Sequence, residues 1–262
     1  MPKTLPSPKP MPSNIVRKLN DMNRAFYARV ADEFDATRDG AWQGWYGIKT
    51  YIPLTSGESH PFARVLDVGC GNGRFGVFIA KENPNGYINY FGIDSSRELL
   101  THAEKTLAVI PHPNFGYSLE KRDFIEQPLD EKHDFPYRFH LVVAFGVLHH
   151  IPGTAQRMDF VRSLANLVLP DGHLVYTEWR FYEDQRFHKH LLPPPADLAP
   201  HLEKGDYFLD WGGDKTAMRY CHYVDDAEHK ALIAATGLTL AQTYRADGYN
   251  RDTNMYVVLH KP

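Results

Sequence analysis

The chain has 262 residues, 43% of them hydrophobic, with 29 Lys and Arg against 32 Asp and Glu, a net charge of −3, 14 histidines and two cysteines. That length builds one sizeable core without disulfides, and Cys70 and Cys221 have no metal-ligand spacing, so neither a disulfide scaffold nor a zinc module is indicated. With no signal-peptide pattern, long apolar run or basic excess, a cytoplasmic protein without a membrane partner is expected, and charge neither suggests nor excludes nucleic acid.

Met1 to Ser13 holds five prolines and little that can bury itself, which reads as a disordered leader over 1–13 ahead of a single domain over 14–262. From Ile15 the apolar residues Val16, Leu19, Met22, Phe26, Val30 and Phe34 recur at three- and four-residue steps, predicting a helix or a broken pair with one buried face. The pattern fails at Thr37 to Trp42, and an amphipathic stretch around Gly44 to Leu54 completes an N-terminal helical region over 14–60.

Arg64 to Gly76 organises the rest. An aliphatic run reaches Asp67, Gly69, Gly71 and Gly73 follow at alternate positions, and a helical pattern begins at Arg74. Glycine serves where backbone turns at positive φ or lies against a ligand, and the helix start offers free N–H groups. An acid at the mouth of the first strand would repel a pyrophosphate, so Asp67 calls for a cationic ligand. The second strand, Tyr87 to Ile93, ends on Asp94, where a doubly wound fold places its ribose-binding acid. A ligand with a cationic centre at the first strand and a ribose at the second is S-adenosylmethionine.

Ser95 and Ser96 are N-cap candidates for the next helix, which carries Leu99, Leu100 and Leu107, and the third strand is expected over Asn114 to Leu119. Phe139 to Phe145 is a nearly continuous apolar run, as in a central parallel strand, and it ends at His149-His150. Ligands of open α/β sheets lie beyond the carboxyl ends of the strands, which gives this pair a functional place. Two adjacent histidines without a nearby third N or S ligand make no zinc site, and no metal is expected. Thr154 is the cap candidate for the following helix, which ends before Pro170-Asp171-Gly172, and His173 to Trp179 is the fifth strand. The rhythm breaks from about 180 to 218, with three prolines at Pro193 to Pro195, which reads as a lid insertion. Asp225 or Asp226 opens a last helix closed by Gly237, and Leu238 to Arg245 with Asn254 to His260 form a terminal hairpin.

Through VLDVGCGNG, Val65 to Gly73, the chain resembles the class I S-adenosylmethionine-dependent methyltransferases. The resemblance implies an α/β fold with a Rossmann-like seven-stranded sheet, mostly parallel with an antiparallel last strand and helices on both faces. S-adenosylhomocysteine would be the product. It also implies cofactor contacts from Asp67, Gly69, Cys70, Gly71, Asn72, Gly73, Asp94 and Ser95. Asp123 and Phe124 would meet the adenine, Phe145 and Gly146 would line the site from the fourth strand, and Tyr27 and Arg38 would belong to a cap.

Further residues narrow the resemblance. Tyr27-x-x-Val30-Ala31-x-x-Phe34-x-x-Thr37-Arg38-x-x-x-Trp42, Val147-Leu148-His149-His150 with Arg157, and Gly205-Asp206, Trp211 and Arg219-Tyr220-x-His222 resemble the tRNA wobble-uridine carboxymethyl methyltransferases. The stretch between Arg180 and Gly205 departs from that pattern. This likeness implies esterification of a carboxymethyl group on a tRNA base, with tRNA and a small zinc-binding adaptor protein as partners. A carboxylate is already ionised near neutral pH and needs cationic or hydrogen-bonding partners, for which His149, Arg219, Tyr220, His222 and Arg38 are the catalytic candidates. A small-molecule carboxylate, phenol or amine is the alternative acceptor, and a cofactor-binding scaffold without turnover is a third reading.

Overall fold

The structure is a computed structural model and describes residues 10–37, 40–52, 62–212 and 214–262. Helix α1 (Ser13–Ala36) is unbroken and buries Ile15, Leu19, Phe26 and Val30 along one side. Met11, just ahead of it, is buried in the same cluster as Ile15 and Leu19. A 3-10 helix (Gln43–Tyr51) follows. The chain then alternates through β1 (Ala63–Val68), α2 (Arg74–Glu82), β2 (Ile88–Asp94), α3 (Arg97–Ala108), β3 (Phe115–Lys121), β4 (Phe139–Ala144), α4 (Thr154–Asn166) and β5 (Val168–Trp179). After α5 (Gln185–His188), β6 (Leu191–Leu192), β7 (Asp206–Trp211) and β8 (Asp214–His222) come α6 (Asp226–Thr236), β9 (Thr239–Ala246) and β10 (Asn254–His260).

The main sheet has seven strands in the order β3-β2-β1-β4-β5-β10-β9. β1 to β5 pair in parallel, and β10 runs antiparallel to both its neighbours, as the class I pattern requires. Both faces are covered, and the period of two along each strand decides which residue goes where. Leu66, Val142 and Leu174 join the core beneath α4 and α6, while their neighbours Val65, Val143 and Val175 join the core beneath α2 and the 3-10 helix. Strand order reverses between β1 and β4, so their carboxyl ends open the crevice where such folds bind ligands.

Local signals placed most helix ends. Ser96 caps α3 by accepting from the Leu99 N–H at 3.2 Å, Asp225 caps α6, and Gly237 closes α6 at φ 68. Thr154 does not cap α4. Gly153 holds that position, and the N–H and hydroxyl of Thr154 donate instead to Glu203 at 2.8 and 2.9 Å. β5 also starts earlier than His173, running from Val168 through Pro170-Asp171-Gly172 with Asp171 at φ 62. The insertion after β5 folds as a second sheet, β6-β7-β8, packed on α1 through Leu198, Phe208 and Tyr220. Among the described residues no helix is long and apolar enough to cross a membrane.

Candidate active site

The carboxyl ends of β1, β2, β4 and β5, with α1 and β8 over them, enclose a cavity of about 740 Å³. Its floor is the β1–α2 turn, where Gly69, Gly71 and Gly73 have φ of 76, 56 and 79°. A Cβ on Gly69 would stand 2.2 Å from Val147, so that position needs glycine for space as well as for backbone angle. The turn is fastened from below. Ile93 O accepts from the Gly69 and Cys70 N–H groups at 2.7 and 3.0 Å, and Asp94 accepts from the Gly71 and Ser96 N–H groups at 2.9 and 2.8 Å. Asp67 is buried, accepts from the Tyr90 hydroxyl at 2.6 Å and forms no ion pair among the described residues. Burial, with Asp94 adding and the Tyr90 hydrogen bond opposing, pushes its pKa up to about 7. Burial also raises the pKa of Asp94.

Helix α1 is clasped over this floor. Asp123 accepts from the Ile125 and Glu126 N–H groups at 3.1 and 3.2 Å with one oxygen, and from Asn20 and Arg24 of α1 at 2.7 and 2.8 Å with the other. At the other end Asn72 donates to Asp35 at 2.8 Å.

On the opposite side of the cavity Arg219, carried by β8, has its guanidinium carbon 5.1 Å from the Phe26 ring centre, 5.0 Å from Trp179 and 5.6 Å from Trp211. It is buried, it pairs with no carboxylate among the described residues, and its Nε has no hydrogen-bond partner. A buried cation left this way costs several kcal/mol unless an anion reaches it. His149 lies alongside with an unpartnered buried Nδ1 and its ring 5.0 Å from Trp179. Burial first, then His150, Arg219 and His222, hold its pKa well below the usual histidine value. Burial and Arg219 push His150 down to about 3. Nδ1 of His150 lies 3.1 Å from the Tyr220 carbonyl and 3.3 Å from the Asn23 amide nitrogen, and its Nε2 lies 2.7 Å from the Tyr27 hydroxyl.

Cys70, Ser95, Phe124, Phe145 and Gly146 complete the wall, so Tyr27, Asp67, Gly69, Gly71, Asn72, Asp94, Asp123, His149 and Arg219 share one cavity with them. Gly73 sits at the start of α2, packed toward Ala103 and Leu107. Arg38 lies outside the described residues. Tyr220 and His222 stand behind Arg219 in a buried network, not on the cavity wall. The Tyr220 hydroxyl and His222 Nδ1 meet Asp206 at 2.7 and 2.6 Å, and His222 Nε2 meets Glu228 at 2.6 Å. Arg157 joins Glu228 and Glu203 at 2.7 and 2.9 Å.

The fold brings Cys221 near the histidine pair, a trio whose ligand atoms lie within 4.8 Å that sequence spacing did not suggest. Two protein partners on His150 and the charge of Arg219 make it a poor cation site. Sequence reasoning also missed Asn20, Asn23 and Arg24, which line the cavity from α1. Their signal was present: Asn20, Asn23, Arg24 and Tyr27 form a polar stripe at helical spacing beside the apolar one.

A family model described as a methyltransferase domain matches residues 66–174. The human protein described as probable tRNA methyltransferase 9B is 20% identical over 185 residues, covering 71% of this chain and 32% of that protein. The chain thus spans about a third of the length of these tRNA methyltransferase relatives. The 27-O-demethylrifamycin SV methyltransferase of Amycolatopsis mediterranei is 26% identical over 156 residues, 58% of this chain and 46% of that one. Among solved structures, a SAM-dependent methyltransferase from Methanosarcina mazei superposes with a TM-score of 0.60 at 14% identity, covering 82% of this chain and 96% of its own. Magnesium protoporphyrin IX methyltransferase from Synechocystis, with bound SAM, gives 0.51 at 15% identity over 96% and 86%.

Proposed function

We infer that the chain is a class I S-adenosylmethionine-dependent methyltransferase, and we propose that its acceptor is a carboxylate held by Arg219. The cavity floor suits the donor, because Asp67 is a buried acid with no ion pair among the described residues and Gly69 and Gly71 leave the backbone bare. Asp67 would meet the cationic part, Asp94 the ribose, and Asp123 with Phe124 the adenine. When bound, the donor supplies a methyl group on a positively charged sulfur, open to direct displacement.

The observation that carries the acceptor class is Arg219, a buried guanidinium with three aromatic neighbours and, among the described residues, no carboxylate paired with it. Its fork orients one carboxylate oxygen, and His149, kept neutral, offers a hydrogen bond at the same place. With the pKa of His149 and His150 pushed down, both histidines of the site are weak bases, which suits an acceptor that arrives already ionised. Esterification removes the charge that Arg219 held, so the product is bound less tightly than the substrate.

The likeness to probable tRNA methyltransferase 9B supports tRNA as the carrier of that acceptor; a carboxymethyl group on a wobble uridine, with a small zinc-binding adaptor as partner, is what the sequence resemblance implies. A small-molecule carboxylate, phenol or amine is the second reading, and the likeness to the rifamycin methyltransferase supports a small acceptor. Calorimetric titration with S-adenosylhomocysteine tests the donor. Transfer of labelled methyl to bulk tRNA, released by mild base and located by mass analysis of nucleosides, tests the acceptor. Label only on small-molecule acceptors selects the second reading, and donor binding without transfer to either sinks both.

A further inference from the structure

Between α1 and β1, Gly40 to Ile52 crosses the donor side of the cavity as a strap. It lies flat on a pair of tyrosines, Tyr244 and Tyr256, stacked 4.9 Å apart at 6°. Cβ atoms on Gly44 and Gly47 would stand 2.2 Å from the Tyr256 ring and 2.7 Å from the Tyr244 ring, so only glycines allow this approach. Trp45 is thereby turned inward, stacked with Trp42 at 5.6 Å, and a Cβ on Gly146 would meet the Trp42 ring at 3.3 Å. Both tryptophans line the cavity together with Gly69 and Gly146.

One carboxylate fastens the strap. Asp247, in the β9–β10 turn, accepts from the Gly44 N–H at 2.8 Å with one oxygen, and from the Tyr256 hydroxyl and the Asn254 amide at 2.6 and 2.9 Å with the other. The Gly44 N–H lies in the first turn of the 3-10 helix, where no partner exists within the helix. Tyr244 completes the fastening by donating to Gly44 O at 2.6 Å. Asp247 holds φ at 66°, a left-handed angle that side chains other than glycine adopt where their surroundings over-determine it, often at functional sites. Asp247 itself borders the cavity.

We propose that Asp247 is a positioning residue for methyl transfer: it latches the strap so that Trp42 and Trp45 form the donor-side wall beside Gly69 and Gly146. The proposal rests on the donor reading above. Its test is titration of wild type, Asp247→Ala, Asp247→Asn and Gly44→Ala with S-adenosylhomocysteine, read by calorimetry and tryptophan emission, with the ligand-free unfolding midpoint alongside. In Asp247→Ala the Kd rises about tenfold or more and the emission change on binding is lost, while Asp247→Asn, which keeps an acceptor for Gly44, falls between. Gly44→Ala lifts the same strap by collision with Tyr256 and reproduces the loss, which keeps the test available if Asp247→Ala folds poorly.

Unchanged affinity in Asp247→Ala, with or without a lowered midpoint, marks a merely structural role and overturns the proposal. So does a loss of affinity that Gly44→Ala does not share, because Asp247 would then touch the donor itself. If wild type takes up no S-adenosylhomocysteine, the donor reading falls and the latch with it. If wild type binds and Asp247→Ala binds equally, only the latch falls.

Discussion

A guanidinium packed against Phe26, Trp179 and Trp211 is held in plane and desolvated before any acceptor arrives, so little ordering remains to be done on binding. Arg219→Ala is expected to lower kcat/KM for the acceptor by about 100-fold while S-adenosylhomocysteine affinity stays within about twofold. Arg219→Lys should not restore it, since an ammonium neither stacks nor presents a fork. Loss of donor affinity in the alanine variant would place Arg219 on the wrong side of the cavity. Asp67 gives a pH signature. Its pKa of about 7 in the fold lies above the ordinary 3.8, so between those values the native state keeps a proton that the unfolded chain has released. Stability from this group is therefore full at low pH and is lost as pH rises toward about 7, with no further loss above. Donor binding follows the opposite course, because the ionised carboxylate is the form that attracts a cation. Calorimetry from about pH 5.5 to about pH 7.5 should show affinity rising in wild type and a flat, weaker profile in Asp67→Asn. A flat wild-type profile would refute the ion-pairing role.

The insertion sheet is tied to the rest of the domain by an ion-paired arginine and by a histidine hydrogen-bonded between two carboxylates. Arg157, without solvent exposure, bridges Glu228 of α6 to Glu203 of the insertion, and His222 bridges Glu228 to Asp206 of β7. Removing one partner strands buried charges, so Arg157→Ala should cost about 3–5 kcal/mol in thermal or urea unfolding. Because β8 also carries Arg219, acceptor turnover should fall further than donor affinity. An unchanged unfolding midpoint would show that the network contributes nothing net. Such ties explain which elements could be read from sequence. Ser96, Asp225 and Gly237 act on their own helices, so their meaning is local and legible. Thr154 has the same chemistry, yet a carboxylate 49 positions away takes its N–H. β6 to β8 pair across a proline-rich stretch and are held by packing on α1, which no local pattern announces. Asp67 and the alternate glycines were legible because a strand end, a turn and a helix start force them to be adjacent. Tyr220 and His222 were read as facing the acceptor, and only the register of β8 against β7 reveals that they face Asp206.

For the molecule as a whole, α1 makes hydrogen bonds on both sides of the cavity. Asn20 and Arg24 hold Asp123 on the donor side, while Asn23 accepts from the Tyr220 N–H at 2.8 Å and Tyr27 orients His150 on the acceptor side. The central strands beneath it, β1 and β4, are buried on both faces. Donor binding should therefore tighten the molecule unevenly. At a ligand concentration of about 100 times Kd the native state gains about 2.7 kcal/mol, visible as a higher unfolding midpoint. Local opening carries a smaller free energy than global unfolding, so hydrogen exchange can locate where the gain is spent. Amides of the β1–α2 turn, of α1 from Asn20 to Tyr27 and of β8 next to Arg219 are expected to slow markedly on adding S-adenosylhomocysteine, and those of α4 and α6 to change little. Protection confined to the β1–α2 turn would show that α1 caps the donor without coupling it to the acceptor side, and Asn20→Ala with Arg24→Ala would then leave acceptor turnover untouched at saturating donor. Protection that extends through α1 into β8 predicts the reverse: the double variant loses acceptor turnover even when donor is saturating, because Asn20 and Arg24, which clasp Asp123, interleave on one helix with Asn23 and Phe26, which meet β8 and Arg219.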